Sequence, residues 1–139
     1  DLKRMERVIP LFVKKMLNKE EVTVYGAEKV LDFTYIDDCV DGICRGIDLL
    51  VFKREANHTI NLAYGQGNSL IDLVGFIGKT LGVEPATKME PTRTGEVSRY
   101  VANIGKASTL LGYKPTTPLN EGIPKAIEWY LSWWKGHPE

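Results

Sequence analysis

Two stretches of the sequence concentrate side chains able to do chemistry. The first is acidic, with Asp32, Asp37, Asp38 and Asp41 inside ten residues. Carboxylates crowded in this way could hold Ca²⁺ or Mg²⁺, which take several oxygen ligands. The spacing lacks the ordered alternation of an EF-hand loop, and the start of a helix accounts for most of the run. Asp37 or Asp38 would cap that helix, and Asp41 would sit near the positive end of its dipole. Capping leaves one acid unexplained: Asp32, set between apolar residues in an expected strand.

The second stretch is the loop from Pro91 to Arg99, which carries Thr92, Arg93, Thr94, Gly95 and Glu96. A guanidinium in a turn, flanked by hydroxyls and a glycine, can grip a phosphate with its rigid fork while backbone N–H groups close the remaining oxygens. An ordinary solvated arginine is the competing reading; Arg7 and Lys29 are weaker candidates of the same kind. His58 and His137 are single in the sequence, which does not support a metal site or an activated nucleophile. Trp129, Trp133 and Trp134 could stack on a sugar or a base, but their helical spacing fits packing better. No catalytic, cofactor-binding or metal-ligating residue is assigned within this chain.

The sequence contains neither G-x-G-x-x-G nor G-x-x-x-x-G-K-[ST], so a nucleotide-phosphate cradle of those types is not expected. Nor is any Tyr/Lys pair assigned to proton transfer beside a nicotinamide, and the chain is not expected to carry hydride chemistry of its own. Basic and acidic residues both number 18 in 139, so there is no net charge to draw nucleic acid or an anionic membrane from a distance. With 43% hydrophobic residues the chain can bury a core. No apolar run approaches the ~18 residues of a membrane span, and the opening residues lack the apolar centre of a signal peptide. A soluble, cytoplasmic protein is expected. The chain opens at Asp1 without an initiator Met, as a fragment or processed product would. Cys39 and Cys44 stand about 140° apart on an expected helix, which suits reduced core thiols better than a disulfide or a shared metal.

One compact mixed α/β unit is expected to position these residues. Arg7 to Leu17 places Val8, Phe12, Val13 and Met16 at helical spacing, with Pro10 tolerable in the first turn. Glu21 to Tyr25 alternates like a strand and breaks at Gly26. Leu31 to Ile36 is a second strand candidate, followed by a helix whose Val40, Ile43, Cys44 and Ile47 make an apolar face. Thr59 to Leu62 reads as a short buried strand and Tyr64 to Asn68 as a turn. Ser69, three residues before Asp72, heads a capped helix through Leu81. Val83 to Met89 and Arg99 to Ala102 read as extended. Asn103 would cap a brief helix stopping at Gly112. Thr117 and Pro118 would start a last helix with Ile123, Ala126, Ile127, Tyr130, Leu131 and Trp134 on one stripe.

Five pieces in order carry a resemblance: VTVYG, LDFTYIDDCVDGI, INLAYGQGNSL, PTRTGEVSRYVANIGKASTLLGYKP and LNEGIPKAIEWY. Together they resemble the C-terminal part of the extended short-chain dehydrogenase/reductases, and within these the NAD-dependent nucleotide-sugar epimerases and dehydratases of the UDP-glucose 4-epimerase type. The resemblance runs from about Arg7 to Trp134. It implies that residues 1–139 form a small α/β substrate-binding lobe that lacks the Rossmann sheet, a fragment of a larger enzyme. NAD and the catalytic Tyr and Lys would belong to an N-terminal Rossmann domain of the same protein, while this lobe closes over the nucleoside diphosphate of a UDP-sugar or related nucleotide-sugar.

The resemblance also implies roles for single residues. Thr23 would offer backbone polar groups and Tyr25 an aromatic face to the uracil, and Arg93, in the R-x-G-E pattern, would grip the diphosphate. Asp32 and Tyr35 match a stretch shaping the lobe near its hinge; Asn61 and Gly65 belong to a turn after a strand. Most relatives carry an Arg just before the Asp-Phe/Tyr pair, where this chain has Leu31, and the loop from Ala27 to Val30 is about one residue shorter than usual. Lys29 could reach the phosphates instead, although a point charge does not reproduce a bidentate fork. The alternative is a non-catalytic binding or interaction domain that retains the fold.

Overall fold

A computed structural model describes residues 7–54, 56–92 and 94–136. Its elements in chain order are α1 (Val8–Leu17), β1 (Val22–Tyr25), β2 (Val30–Asp32), α2 (Ile36–Lys53), β3 (Gly67–Ser69), α3 (Leu70–Leu81), β4 (Thr87–Glu90), β5 (Arg99–Tyr100), α4 (Gly105–Leu111) and α5 (Leu119–Gly136). The class is mixed α/β, with helices predominating over short strands. The chain divides into two compact units assembled from alternating segments, a division that no linker in the sequence marks.

One unit draws on Asp1–Lys29, Ser69–Ser98 and Asn120–Glu139. In α1 the buried residues are Phe12, Val13 and Met16, and Pro10 is the third helical residue, where its missing N–H would have no intrahelical acceptor. This helix packs against α3 and β1. Alternation in β1 buries Val22 and Val24 completely and turns Thr23 and Tyr25 to the other side. β1 pairs with β4 in parallel, in a register running from Val22↔Thr87 to Tyr25↔Glu90. α3 buries Leu70, Leu73, Val74 and Ile77 and starts on the expected capping box. There the Asp72 N–H donates to Ser69 Oγ at 3.0 Å, and the Ser69 N–H donates to Asp72 Oδ2 at 2.9 Å. In α5 Ile123 and Ile127 are buried, and Tyr130 stacks on Trp134 with ring centroids 5.5 Å apart. Trp129 meets Tyr130 edge-on but is itself exposed.

The other unit comprises Val30–Asn68 and Arg99–Leu119. Its strands lie in the order β3-β2-β5, with β2 and β5 parallel. Asp32, the acid that capping could not explain, accepts N–H bonds from Tyr64 at 3.1 Å, Gly65 at 3.0 Å and Ala102 at 3.2 Å. Asp38 accepts from the N–H groups of Thr116 at 3.0 Å and Thr117 at 2.9 Å. Burial alone would raise the Asp38 pKa, but these donors, with the two threonine hydroxyls, outweigh it and hold the carboxyl below its ordinary value. Tyr113, fully buried, donates its hydroxyl to the Ala63 carbonyl at 3.1 Å. Its pKa is pushed up to about 12 by burial, with the negative charge of Asp38 adding to the effect.

Several sequence expectations are corrected here. Neither Asp37 nor Asp38 caps α2: its N-cap is Tyr35, which makes no side-chain cap bond, and both acids lie in the first turn. The expected second strand stops at Asp32, and Thr59 to Leu62 forms no strand. β3 instead starts at Gly67, inside the expected turn, where a Cβ would lie 2.2 Å from Val30 Cγ1 and 2.7 Å from Val101 Cγ2. The largest correction concerns α2. Val40, Ile43 and Ile47 are 47–53% exposed, and Ile36, Leu50, Val51 and Phe52 more so. Cys44 is exposed and Cys39 half-buried, so neither thiol is in the core. The inward face carries Asp38, Gly42 and Leu49. Gly42 lets the helix approach so closely that a Cβ there would lie 2.6 Å from Leu62 Cδ2. Helical periodicity located the apolar face correctly; hydrogen bonding and close approach determine which face this chain buries.

Asp38→Asn is expected to lower stability at neutral pH by about 1–3 kcal/mol, since Asn cannot make the charge-assisted bonds to Thr116 and Thr117. A carboxyl whose folded pKa lies below its unfolded value stabilises fully above the unfolded value, here 3.8, and loses that contribution as pH falls through the folded one. Urea unfolding of both proteins between pH 7 and about pH 2.5 should therefore show their stability difference shrinking on the acid side.

Candidate functional site

The carboxyl ends of parallel strands are where open α/β sheets leave a crevice for ligands. β1 and β4 end side by side at Tyr25 and Glu90. The Gly26 N–H continues the pairing by donating to the Glu90 carbonyl at 2.8 Å, and the Gly26 carbonyl accepts from the Lys29 N–H at 2.9 Å. Gly26 has φ +67°, so the turn at 26–29 begins in a backbone conformation suited to glycine. Two carbonyls of the turn serve the next helix: Ala27 accepts from the Ile71 N–H at 3.2 Å and Lys29 from the Leu70 N–H at 3.1 Å. Strand and helix thus hold the turn from both sides.

The loop after β4 folds back onto this turn. A Cβ at residue 26 would stand 2.3 Å from Thr92 Oγ1 and 3.1 Å from Lys29 Cε. The Lys29 ammonium, in a buried side chain, ion-pairs with Glu96. On the strand itself Lys88 pairs with Glu90 at 2.8 Å, and hydrogen bonding to Glu90 raises the lysine pKa. The turn therefore supplies a glycine-tight backbone, the Thr92 hydroxyl, a fixed ammonium–carboxylate pair and the aromatic ring of Tyr25. These groups suit gripping and orienting a ligand.

Thr23 lies half-buried on β1 opposite Lys88, and Tyr25 ends the same strand partly exposed. Lys29 is in the turn but holds Glu96, so its charge is already met within the protein. Tyr25 and Lys29 have Y-x-x-x-K spacing, which aligns two side chains only on a helix; here one residue ends a strand and the other lies in a turn. Arg7 is exposed at the N-cap of α1. Arg93 lies outside the described residues, as does His137. Leu31 belongs to the other unit, on β2, in register with Tyr100 of β5. In that unit Asp32 grips the turn at Gly65, and Asn61 Nδ2 donates to the Asn103 carbonyl at 3.3 Å. Sequence reasoning missed the partnership of Lys29 with Glu96 and the seat of Thr92 against Gly26. The R-x-G-E pattern drew attention to the right loop, but a pairing across 67 residues has no local signal.

Among the described residues no helix is long and apolar enough to cross a membrane, and no group of three or more His, Cys, Asp or Glu could hold a metal ion. A family model for GDP-mannose 4,6-dehydratase matches residues 2–126. An uncharacterised protein of Methanocaldococcus jannaschii is 35% identical over 86% of this chain and 36% of its own length. The dTDP-glucose 4,6-dehydratase of Streptomyces antibioticus is 30% identical over 94% of this chain and 39% of its own. Among solved structures, UDP-glucuronic acid 4-epimerase from Bacillus cereus, in complex with UDP-glucuronic acid and NAD, matches at 28% identity with a TM-score of 0.84. That match covers 92% of this chain and 40% of the epimerase. The chain thus spans roughly two-fifths of the relatives it matches.

Gly26→Ala should destabilise the chain by about 1–3 kcal/mol, the cost of a strained backbone, and displace Thr92. Thermal melting measures the first effect, and the amide chemical shifts of residues 90–96 report the second; an unchanged loop would mean that Gly26 does not set its position.

Proposed function

The chain belongs to the GDP-mannose 4,6-dehydratase family, and from that premise we propose that it is the substrate-binding part of an NAD-dependent nucleotide-sugar epimerase or dehydratase, of the UDP-glucose 4-epimerase type. The observation that carries the proposal is the folding of the R-x-G-E loop onto the turn at the carboxyl ends of β1 and β4, in a chain that matches this family over most of its length. The lobe grips the nucleoside diphosphate. Tyr25 offers an aromatic face and Thr23 its backbone polar groups to the base, while Arg93 takes the diphosphate with a bidentate fork. Arg7 and Lys29 are secondary candidates for the same charge.

Holding the nucleotide as a handle places the sugar by binding energy remote from the reacting carbon. NAD accompanies the substrate in the Bacillus cereus epimerase, but the residues here do not fit it. The chain carries no G-x-G-x-x-G turn of the kind that brings a dinucleotide pyrophosphate onto a helix N-terminus. The cofactor and the chemical step are therefore assigned to the rest of the protein. An N-terminal domain of the same protein would also cover the exposed apolar face of α2. Support for this comes from the face itself, with Val40, Ile43, Ile47 and Leu50 all near half exposure, and from the share of the relatives' length lying outside the match.

Two outcomes are expected. In a calorimetric titration with UDP, Arg93→Ala should weaken binding about 10- to 150-fold, the loss of a charged hydrogen bond; equal affinity would remove Arg93 from the site. In the full-length protein Ile43→Asp with Ile47→Asp should lower the melting temperature sharply by burying charge at a domain contact, whereas an unchanged melt would leave the α2 face facing solvent.

A further inference from the structure

We propose that residues 59–63 are an open edge strand, held extended by their own unit, to which the rest of the protein adds a parallel strand. The inference rests on the reading above, that this chain is part of a larger enzyme, and says how the two parts join. Thr59, Ile60, Asn61, Leu62 and Ala63 include the β-branched residues that strands favour. Their exposure alternates with a period of two, Ile60 and Leu62 being half-buried where Thr59 and Asn61 are exposed. Yet no backbone–backbone hydrogen bond among the described residues involves Ile60, Asn61 or Leu62. An extended segment with unpaired N–H and C=O groups is a template for another strand.

Side chains, not a neighbouring strand, keep the segment extended. Lys106 Nζ donates to the Thr59 carbonyl at 3.0 Å, Asn61 Nδ2 to the Asn103 carbonyl at 3.3 Å, and the Tyr113 hydroxyl to the Ala63 carbonyl at 3.1 Å. Leu62 packs under α2 at Gly42, and just beyond the segment Asp32 holds the N–H groups of Tyr64 and Gly65. All these residues belong to one unit. Along a strand, the N–H and C=O of alternate residues point to the same edge. The carbonyls of Thr59 and Ala63 are engaged on one edge, which leaves Ile60 and Leu62 to present their groups at the other.

Connectivity sets the direction of pairing. β2, α2 and this segment follow one another as strand, helix and strand, the order in which a helix carries the chain between parallel strands. Parallel sheets are covered by helices on both faces, and α2 has such a cover to offer, with Val40, Ile43, Ile47 and Leu50 uncovered in the same unit. The relatives have the length to supply the sheet, since the larger part of each lies outside the match. The occupant is thus a strand of the same protein. A second copy would bring an identical edge about a two-fold axis and pair antiparallel.

Nuclear magnetic resonance of the full-length protein tests this. The amides of Ile60 and Leu62 should exchange about 100-fold or more slowly than in an open chain, and Asn61, whose N–H faces the other edge, faster than both. Through-space contacts from Ile60 and Leu62 should run in parallel register to one strand outside residues 1–139. Fast exchange at these two amides would overturn the proposal. So would antiparallel contacts, or protection that grows with protein concentration and marks pairing with a second copy. UDP binding by the same sample separates the two readings. Open amides in a protein that binds UDP overturn the edge strand alone, whereas protected amides in a protein that does not bind UDP support the edge strand and overturn the nucleotide reading.

Discussion

The unit that contains β2 depends on one carboxylate. Asp32 closes a strand of three residues whose partner β5 has only two, too few ladder bonds to hold three chain segments together. Its two oxygens take N–H groups from Tyr64, Gly65 and Ala102, joining the end of β2 to a turn 32 residues later and to the segment after β5. Charge-assisted bonds are about twice as strong as neutral ones, and several converging on one half-buried group replace sheet pairing that the short strands cannot supply. Asp38 repeats the device in the first turn of α2 by capturing the approach to α5 through Thr116 and Thr117. In both cases an acid in a mostly apolar stretch is an acceptor for backbone donors that would otherwise be left unsatisfied.

How much of this was legible in the sequence follows the range of each interaction. α1, β1 and α3 were readable because their signals are local: the spacing of Phe12, Val13 and Met16, the alternation of Val22 and Val24, and the Ser69–Asp72 box each act within a few residues. The glycine that ends β1 was readable for the same reason. Asp32 could be marked as unexplained, but its donors lie more than 30 residues away, and Lys29 gave no sign of Glu96. Thr59 to Leu62 has strand-like residues without a strand, and Gly67 lies in a strand because only a residue without Cβ fits between Val30 and Val101. The inversion of α2 has a different cause. Its apolar periodicity was read correctly, but periodicity does not say which molecule, or which part of a molecule, will cover an apolar face.

The two units carry different parts of the proposed function. Thr23, Tyr25, Lys29 and the loop that contains Arg93 belong to the segments around β1 and β4, and the uncovered face of α2 belongs to the other unit. Residues that would hold a substrate handle are thus separated from those that would join the lobe to the rest of the protein. Leu31, where the resemblance would place an arginine, lies outside the β1–β4 unit, and the cluster at Gly26 keeps its own internal logic of strand, turn and loop. Which nucleotide-sugar is taken would then rest on how that loop is shaped as well as on which charges it bears.

The interleaving of the two units has a consequence for how the chain is made. One unit needs residues from the beginning, middle and end of the chain, and the other cannot close before the segment that supplies Thr116 and Thr117. During synthesis at about 5–20 residues per second, β1 therefore leaves the ribosome several seconds before β4 can pair with it. The exposed surfaces of Val22 and Val24 must wait in a nascent chain that is unable to finish either unit. Non-local pairing of this kind is slow and exposed to aggregation, so neither unit can finish folding before its last segment has been made.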